Sequence, residues 1–178
     1  MSVLPLCVDP HPILRQHVRP VTASTEEIQR LVRDMIETMY ASDGIGLAAP
    51  QVGQDLQLFV ANPSQQRGKE LVLLNPVLEE IRGRTSVVEG CLSLPNVWER
   101  VARAATVRMS GRDLKGQQVR VEAEGLMAIV LQHEWDHLQG HLFVDRLPWL
   151  RRCRVGIKTR RAQPLRMTPN KAARRGSS

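Results

Sequence analysis

Apolar residues recur at helical spacing in two stretches of the chain and at strand spacing between them. Ile28, Leu31, Val32, Met35, Ile36 and Met39 fall at i, i+3 and i+4 intervals behind Ser24, Thr25, Glu26 and Glu27. A glutamate three places after a hydroxyl residue is the spacing of a capping box, so an amphipathic helix ending about Tyr40 is predicted. In the second stretch Leu126, Ile129, Val130, His133 and His137 share one face of a helix that starts near Glu124. Gly140 sits where a left-handed residue ends such a helix. Residues 56–61, 71–74, 77–81, 106–109 and 118–121 are short, rich in β-formers and bounded by Gly, Pro, Asn or Asp. They predict at least five strands. The fold expected is α+β, with short, mostly antiparallel strands packed around the second helix and the amphipathic helix preceding them.

Between the first helix and the first of these strands lies Asp43 to Gly53, with three glycines, one proline and several apolar residues. Glycine and proline preclude a regular element while the apolar side chains preclude a solvated linker, so this segment is expected to be packed and to line something.

Composition narrows the class. With 178 residues, 42% hydrophobic and 24% charged, the chain is expected to fold as a soluble globular protein without staples. Aromatic residues are 3% of the total, too few for a base-stacking nucleic-acid surface. Cys7, Cys91 and Cys153 are odd in number and far apart, which points to a reducing compartment. The first residues show no signal-peptide pattern and no apolar run is long enough to span a bilayer, so the expected location is cytoplasmic. The net charge of +7 is unevenly spread, because residues 146–178 hold 11 of the 25 Lys and Arg residues and no acid. A single domain over residues 1–150 followed by a basic extension over 151–178 is therefore expected. Its last dozen residues have no core-forming pattern and are expected to be disordered.

The chemistry gathers on the second helix. Two histidines four apart are about 40° from each other around the axis and about 6 Å apart along it, so both imidazoles reach one ion. Glu134 stands beside that ion, in the position of a base acting on water. Two histidines do not complete a catalytic site, and the third ligand is open on spacing alone. A third histidine at the metzincin spacing is excluded by Phe143, and no Asp or Glu follows Asp145. Asp145 itself remains available, and with it a zinc-peptidase reading. Cys91 stands out upstream, although taken alone a cysteine between Gly90 and Leu92 is more readily an inert buried residue than a ligand.

Three segments carry a resemblance: Gly44-Ile-Gly-Leu-Ala-Ala-Pro-Gln51, Glu89-Gly-Cys-Leu-Ser93 and Gln132-His-Glu-Trp-Asp-His-Leu-Gln-Gly140. In order and spacing the chain resembles the peptide deformylases, from about Pro10 to about Leu147. The resemblance implies Cys91, His133 and His137 as metal ligands, and Glu134 as general acid and base. It implies Gln51 and the Leu92 backbone N–H as oxyanion donors. The implied reaction is removal of the formyl group from formylmethionine at the N-terminus of nascent polypeptides, releasing formate. The implied metal is ferrous iron, for which zinc, nickel or cobalt can substitute. Ile45, Leu126, Ile129 and Val130 would form an apolar pocket for the methionine side chain. Gly44, Gly46 and Gly90 lack side chains where an extended substrate backbone could approach. Asp136 is expected to pair with a base such as Arg103. Asn96, Trp98 and Ala102 depart from the glycine, arginine and proline common in the family, which leaves substrate contacts there undetermined.

The remaining expectations concern partners. A basic arm attracts RNA phosphate, so the extension is expected to hold a monomeric enzyme near the ribosome. Neither a membrane nor a specific DNA target is implied. The non-enzyme alternative makes this cationic end the whole function, with the body as its scaffold.

Overall fold

The structure, a computed structural model, describes residues 2–155. The expected extension therefore lies almost wholly outside the described residues. The elements run α1 (Glu26–Ala41), β1 (Gly46–Ala48), β2 (Leu58–Ala61), β3 (Leu71–Arg82), β4 (Thr85–Cys91), β5 (Leu94–Arg103), β6 (Thr106–Arg112), β7 (Gln118–Glu124), α2 (Gly125–Leu138) and α3 (Trp149–Arg154). All strand pairs are antiparallel, in one five-stranded sheet ordered β1-β2-β3-β6-β7 and one ribbon of β4 and β5. The α+β class expected from the periodicity is the class observed. No helix among the described residues is long and apolar enough to cross a membrane.

Both helices form where their spacing places them, with different caps. Thr25 rather than Ser24 caps α1, its hydroxyl accepting from the Ile28 N–H. Ser24 turns away and donates to the Leu114 carbonyl at 2.7 Å. α2 ends at Leu138, and Gly140 adopts φ +73° beyond it. A side chain at Gly140 would also meet the backbone of Arg15 and Gln16 at 2.9–3.0 Å, so glycine is required there twice over.

The strand expectations need three corrections. Residues 71–74 and 77–81 belong to one strand, β3. Asn75 and Pro76 do not end it but bulge it, with Asn75 at φ +51° and the register shifting between Leu74 and Val77. The Asn75 side chain stabilises that conformation by bonding both the N–H and the C=O of Val21. Leu56 contributes only an isolated bridge, and β2 begins at Leu58. Three further strands are present that the spacing does not predict: β1, and the two of the ribbon, β4 and β5.

The core has three apolar clusters that leave α2 in the middle. Ala128, Val130, Leu131 and Leu138 of α2 pack on Phe59, Leu73, Val107 and Met109 of the sheet. On the other side of the sheet's β1–β2 end, Val32, Met35 and Met39 of α1 close over Leu47, Leu58 and Val60. Leu14, Leu94, Val101, Phe143 and Val144 form the third cluster, against which Cys91 packs. The site residues are thereby held by packing on three sides.

Candidate metal centre

His133 and His137 project from α2 with ring centroids 5.0 Å apart. Cys91 closes β4, and its Sγ lies 3.3 Å from His137 Nε2. One ligand atom from each of the three residues lies within 4.8 Å of the others, and this is the only such metal-type cluster among the described residues. Bonds of about 2.0–2.3 Å in a tetrahedral arrangement put donors about 3.5 Å apart, so the three fit a divalent ion. One thiolate and two imidazoles leave a fourth position for water or substrate. The rival ligand Asp145 is engaged elsewhere, paired with Arg15 at 2.6 Å and accepting from the Leu142 N–H. It does not join the cluster. Of the two candidates that spacing leaves open, Cys91 stands with the histidines and Asp145 stands apart.

A buried ion-pair network backs the cluster. Glu89 Oε2 lies 2.8 Å from His133 Nδ1, which leaves Nε2 free for an ion and fixes the ring. Arg103 grips both oxygens of Glu89, at 2.7 and 2.9 Å, and reaches Asp136 at 2.7 Å. Arg146 also binds Asp136. Burial alone would raise the Glu89 carboxyl, but hydrogen bonds from Arg103 and His133 hold it down at about 2. Burial alone would lower the Arg103 guanidinium, but the Glu89 and Asp136 carboxylates outweigh it and raise it further. The expected Asp136–Arg103 pair is present. Glu89, quoted in its motif without a role, is the functional residue that sequence reasoning misses.

Gln51 stands in the short turn after β1, 2% exposed. Its Oε1 accepts from the Ala48 N–H at 2.9 Å, so Nε2 must face the other way, toward Ser93 Oγ at 3.3 Å and Cys91 Sγ at 3.5 Å. The amide donor is thus aimed at the cluster by backbone. Ser93 is a second residue that sequence reasoning leaves unassigned.

Glu134 is 3% exposed, and its Oε2 has no hydrogen-bond partner. Burial, the largest influence, raises its carboxyl to about 7. His137 is pushed the other way, well below its ordinary value, first by burial and then by the charge on His133. Among the described residues, this oxygen and His137 Nδ1 are the buried side-chain polar atoms without a hydrogen-bond partner.

A cavity of about 520 Å³ is lined in part by Glu134. Every residue expected to touch substrate lines it: Ile45, Gly46, Gly90, Leu126, Ile129 and Val130, with Gln51, Cys91 and Leu92 beside them. The glycines serve the protein's own packing as well. A Cβ on Gly46 would stand 2.8 Å from Glu134 Cδ and 2.9 Å from Val130 Cγ1, and one on Gly90 would stand 2.6 Å from the Trp98 ring.

Fold and site together define a metal-dependent hydrolase. The sequence profile of the polypeptide deformylases matches residues 3–152, and the chain belongs to that family. It is 44% identical over 159 residues to a peptide deformylase of Acinetobacter baumannii, covering 89% of this chain and 90% of that one. Among solved structures, the peptide deformylase of Legionella pneumophila superposes with a TM-score of 0.84 at 37% identity, over 87% of this chain and 92% of that one. That of Thermus thermophilus gives 0.81 at 44% identity, over 86% and 90%. The enzyme removes the N-terminal formyl group from nascent polypeptides.

Proposed function

We propose that Glu134 carries the proton in this deformylation, that Cys91, His133 and His137 hold a ferrous ion, and that Gln51 and the Leu92 N–H receive the oxyanion. The observation that supports this most directly is the buried Glu134 carboxylate, with one oxygen unpartnered, in the wall of a cavity that Cys91 and His133 also line. When bound, the ion supplies Lewis acidity, making water nucleophilic near neutral pH and polarising a carbonyl.

The formylmethionyl peptide enters between the free edge of β1 and β4, since residues of both line the cavity, and its methionine side chain rests on Ile45, Ile129 and Val130. The Glu134 carboxylate takes a proton from the attacking water as its oxygen bonds to the formyl carbon. The carbonyl oxygen becomes negative and is met by Gln51 Nε2 and the Leu92 N–H. Glu134 then gives its proton to the amine nitrogen as the C–N bond breaks, leaving formate and a free methionine amine.

Removing the Gln51 donor should cost about 10²–10³ in kcat, the range for one oxyanion donor. Steady-state kinetics of Gln51→Ala with its melting temperature check this: lowered stability with kcat intact would reduce Gln51 to a brace for the Ala48 turn. Metal removal is the second check. A chelator should abolish formate release from a short formyl-peptide, and anaerobic ferrous iron should restore more activity than zinc. Exposure to air should then inactivate the iron form, because a thiolate ligand and ferrous iron both oxidise.

The enzyme is read as a cytoplasmic monomer with one catalytic domain to about residue 150, and with the basic extension directed at ribosomal RNA rather than at a membrane or a specific DNA. In α3, Arg154 pairs with Glu99 and Arg152 with Asp145, so a deletion that spares both pairs begins at residue 156. Deleting residues 156–178 should weaken salt-sensitive ribosome binding in sedimentation assays while activity on a short formyl-peptide persists. Undiminished ribosome binding after the deletion would refute this role.

A further inference from the structure

We propose that Trp98 reads the substrate beyond its formylmethionine and gives this enzyme a preference for bulky apolar side chains at the second and third residues. The inference rests on the deformylase reading of the same cavity. Trp98 lies on β5 with its ring across Gly90 of β4, so close that a Cβ at position 90 would stand 2.6–2.7 Å from three ring carbons. The glycine gives the ring a fixed seat. Even so the residue is 70% exposed and belongs to none of the three apolar clusters, so core packing does not account for it.

Its surroundings do account for it. Val88 on β4 and Leu126 at the start of α2 are each 50% exposed, and both line the same cavity as Trp98. Three large apolar side chains left in water around one opening form a surface suited to a partner. The partner follows from continuity: one cavity holds both this rim and Glu134, so a peptide whose first residue is at Glu134 lies in the same cavity as the rim. Val130 in the interior is 4% exposed, against 50% for Leu126, which separates an inner wall for methionine from an outer rim for the second and third residues. A peptide lying extended advances about 3.3 Å per residue, so its next two side chains are the ones that reach an adjoining rim. An indole anchored by its seat on Gly90 loses little freedom on contact, which favours it as a recognition surface.

The test compares formyl-Met-Leu-Leu-amide with formyl-Met-Gly-Gly-amide. Wild type should show a kcat/KM ratio of about tenfold in favour of the leucine peptide, the effect of partly burying one or two leucine side chains. In Trp98→Ala the ratio should fall to about twofold, and in Trp98→Phe, which keeps a ring against Gly90, most of it should remain. An unchanged ratio in Trp98→Ala overturns the proposal, as does a wild type with no preference or one that favours formyl-Met-Lys-Lys-amide. Calorimetric titration of the same peptides into Glu134→Gln, with and without Trp98→Ala, reads the preference without turnover. Peptides that bind with the leucine preference but are not cleaved by wild type would overturn the deformylase reading and leave the role of Trp98 standing. Formate release with no preference in either assay would do the reverse.

Discussion

Replacing Glu134 with glutamine should lower kcat for formate release by about 10³-fold, within the range for loss of a general acid–base group. The side chain keeps its shape, and the gap at Gly46 that accommodates the carboxylate accommodates an amide equally. Glu134 is not in the cluster of Cys91, His133 and His137, so the metal content should not change. The fold should not suffer either, because a carboxyl that burial raises to about 7 is held at the expense of stability, and a neutral amide relieves that cost. The variant is therefore expected to melt at or above the wild-type temperature, retain its ion, bind peptide and turn it over barely. Metal analysis, a melting curve and a formate assay on one preparation decide the matter. Full metal with near-normal turnover would remove Glu134 from the reaction and require another group to carry the proton.

The parts of this site that are legible in the sequence are those a single helix brings together. His133, Glu134 and His137 need only the 3.6-residue repeat to be placed, and the apolar face of Ile129 and Val130 follows from the same repeat. Cys91 is different, since it meets the helix only because β4 ends there, and strand β4 is not visible in the hydropathy. Thr85–Cys91 and Leu94–Arg103 mix charges with apolar residues, and carry Gly90 and Pro95. Their strand character comes from pairing with each other as a two-stranded ribbon, which no local pattern expresses. Motif resemblance supplies Cys91 where periodicity cannot.

The same ribbon explains why Glu89 goes unrecognised. A lone acid between Val88 and Gly90 looks like the solvent-facing member of an exposed strand. It is in fact 6% exposed, because β5 brings Arg103 alongside and α2 brings His133. Asn75 and Pro76 mislead in the opposite sense, marking a break where the chain makes a bulge. In each case tertiary pairing overrides the local signal: Glu89 bonds Arg103 and His133, and Asn75 bonds the Val21 backbone.

Arg103→Ala should be the most destabilising single change at this site, by about 3–5 kcal/mol, the range for stranding a buried charge. Arg103 and its partners are nearly inaccessible, with side-chain exposures of 4% for Arg103, 5% for Glu89 and 3% for Asp136, so water cannot replace the lost guanidinium. Asp136 would keep Arg146, but Glu89 would face only His133. An independent route gives a similar size. The Glu89 carboxyl is held at about 2 against an ordinary 4.5, and a shift of that extent corresponds to about 3 kcal/mol. Because the folded value is the depressed one, this stability is fully present above pH 4.5 and is lost as the pH falls toward 2. Without Arg103 the folded value rises, so the loss should begin at higher pH and the acid unfolding midpoint should move up. Metal affinity should fall by about 10–100-fold as well, since Glu89 orients His133. Arg103→Lys should recover only part of either effect, because one ammonium cannot hold both Glu89 oxygens and Asp136 as the planar guanidinium does. Urea unfolding at pH 7 and pH 4, with competitive zinc titration, measures all three. Wild-type stability and metal affinity in Arg103→Ala would mean that the network is incidental to the centre it surrounds.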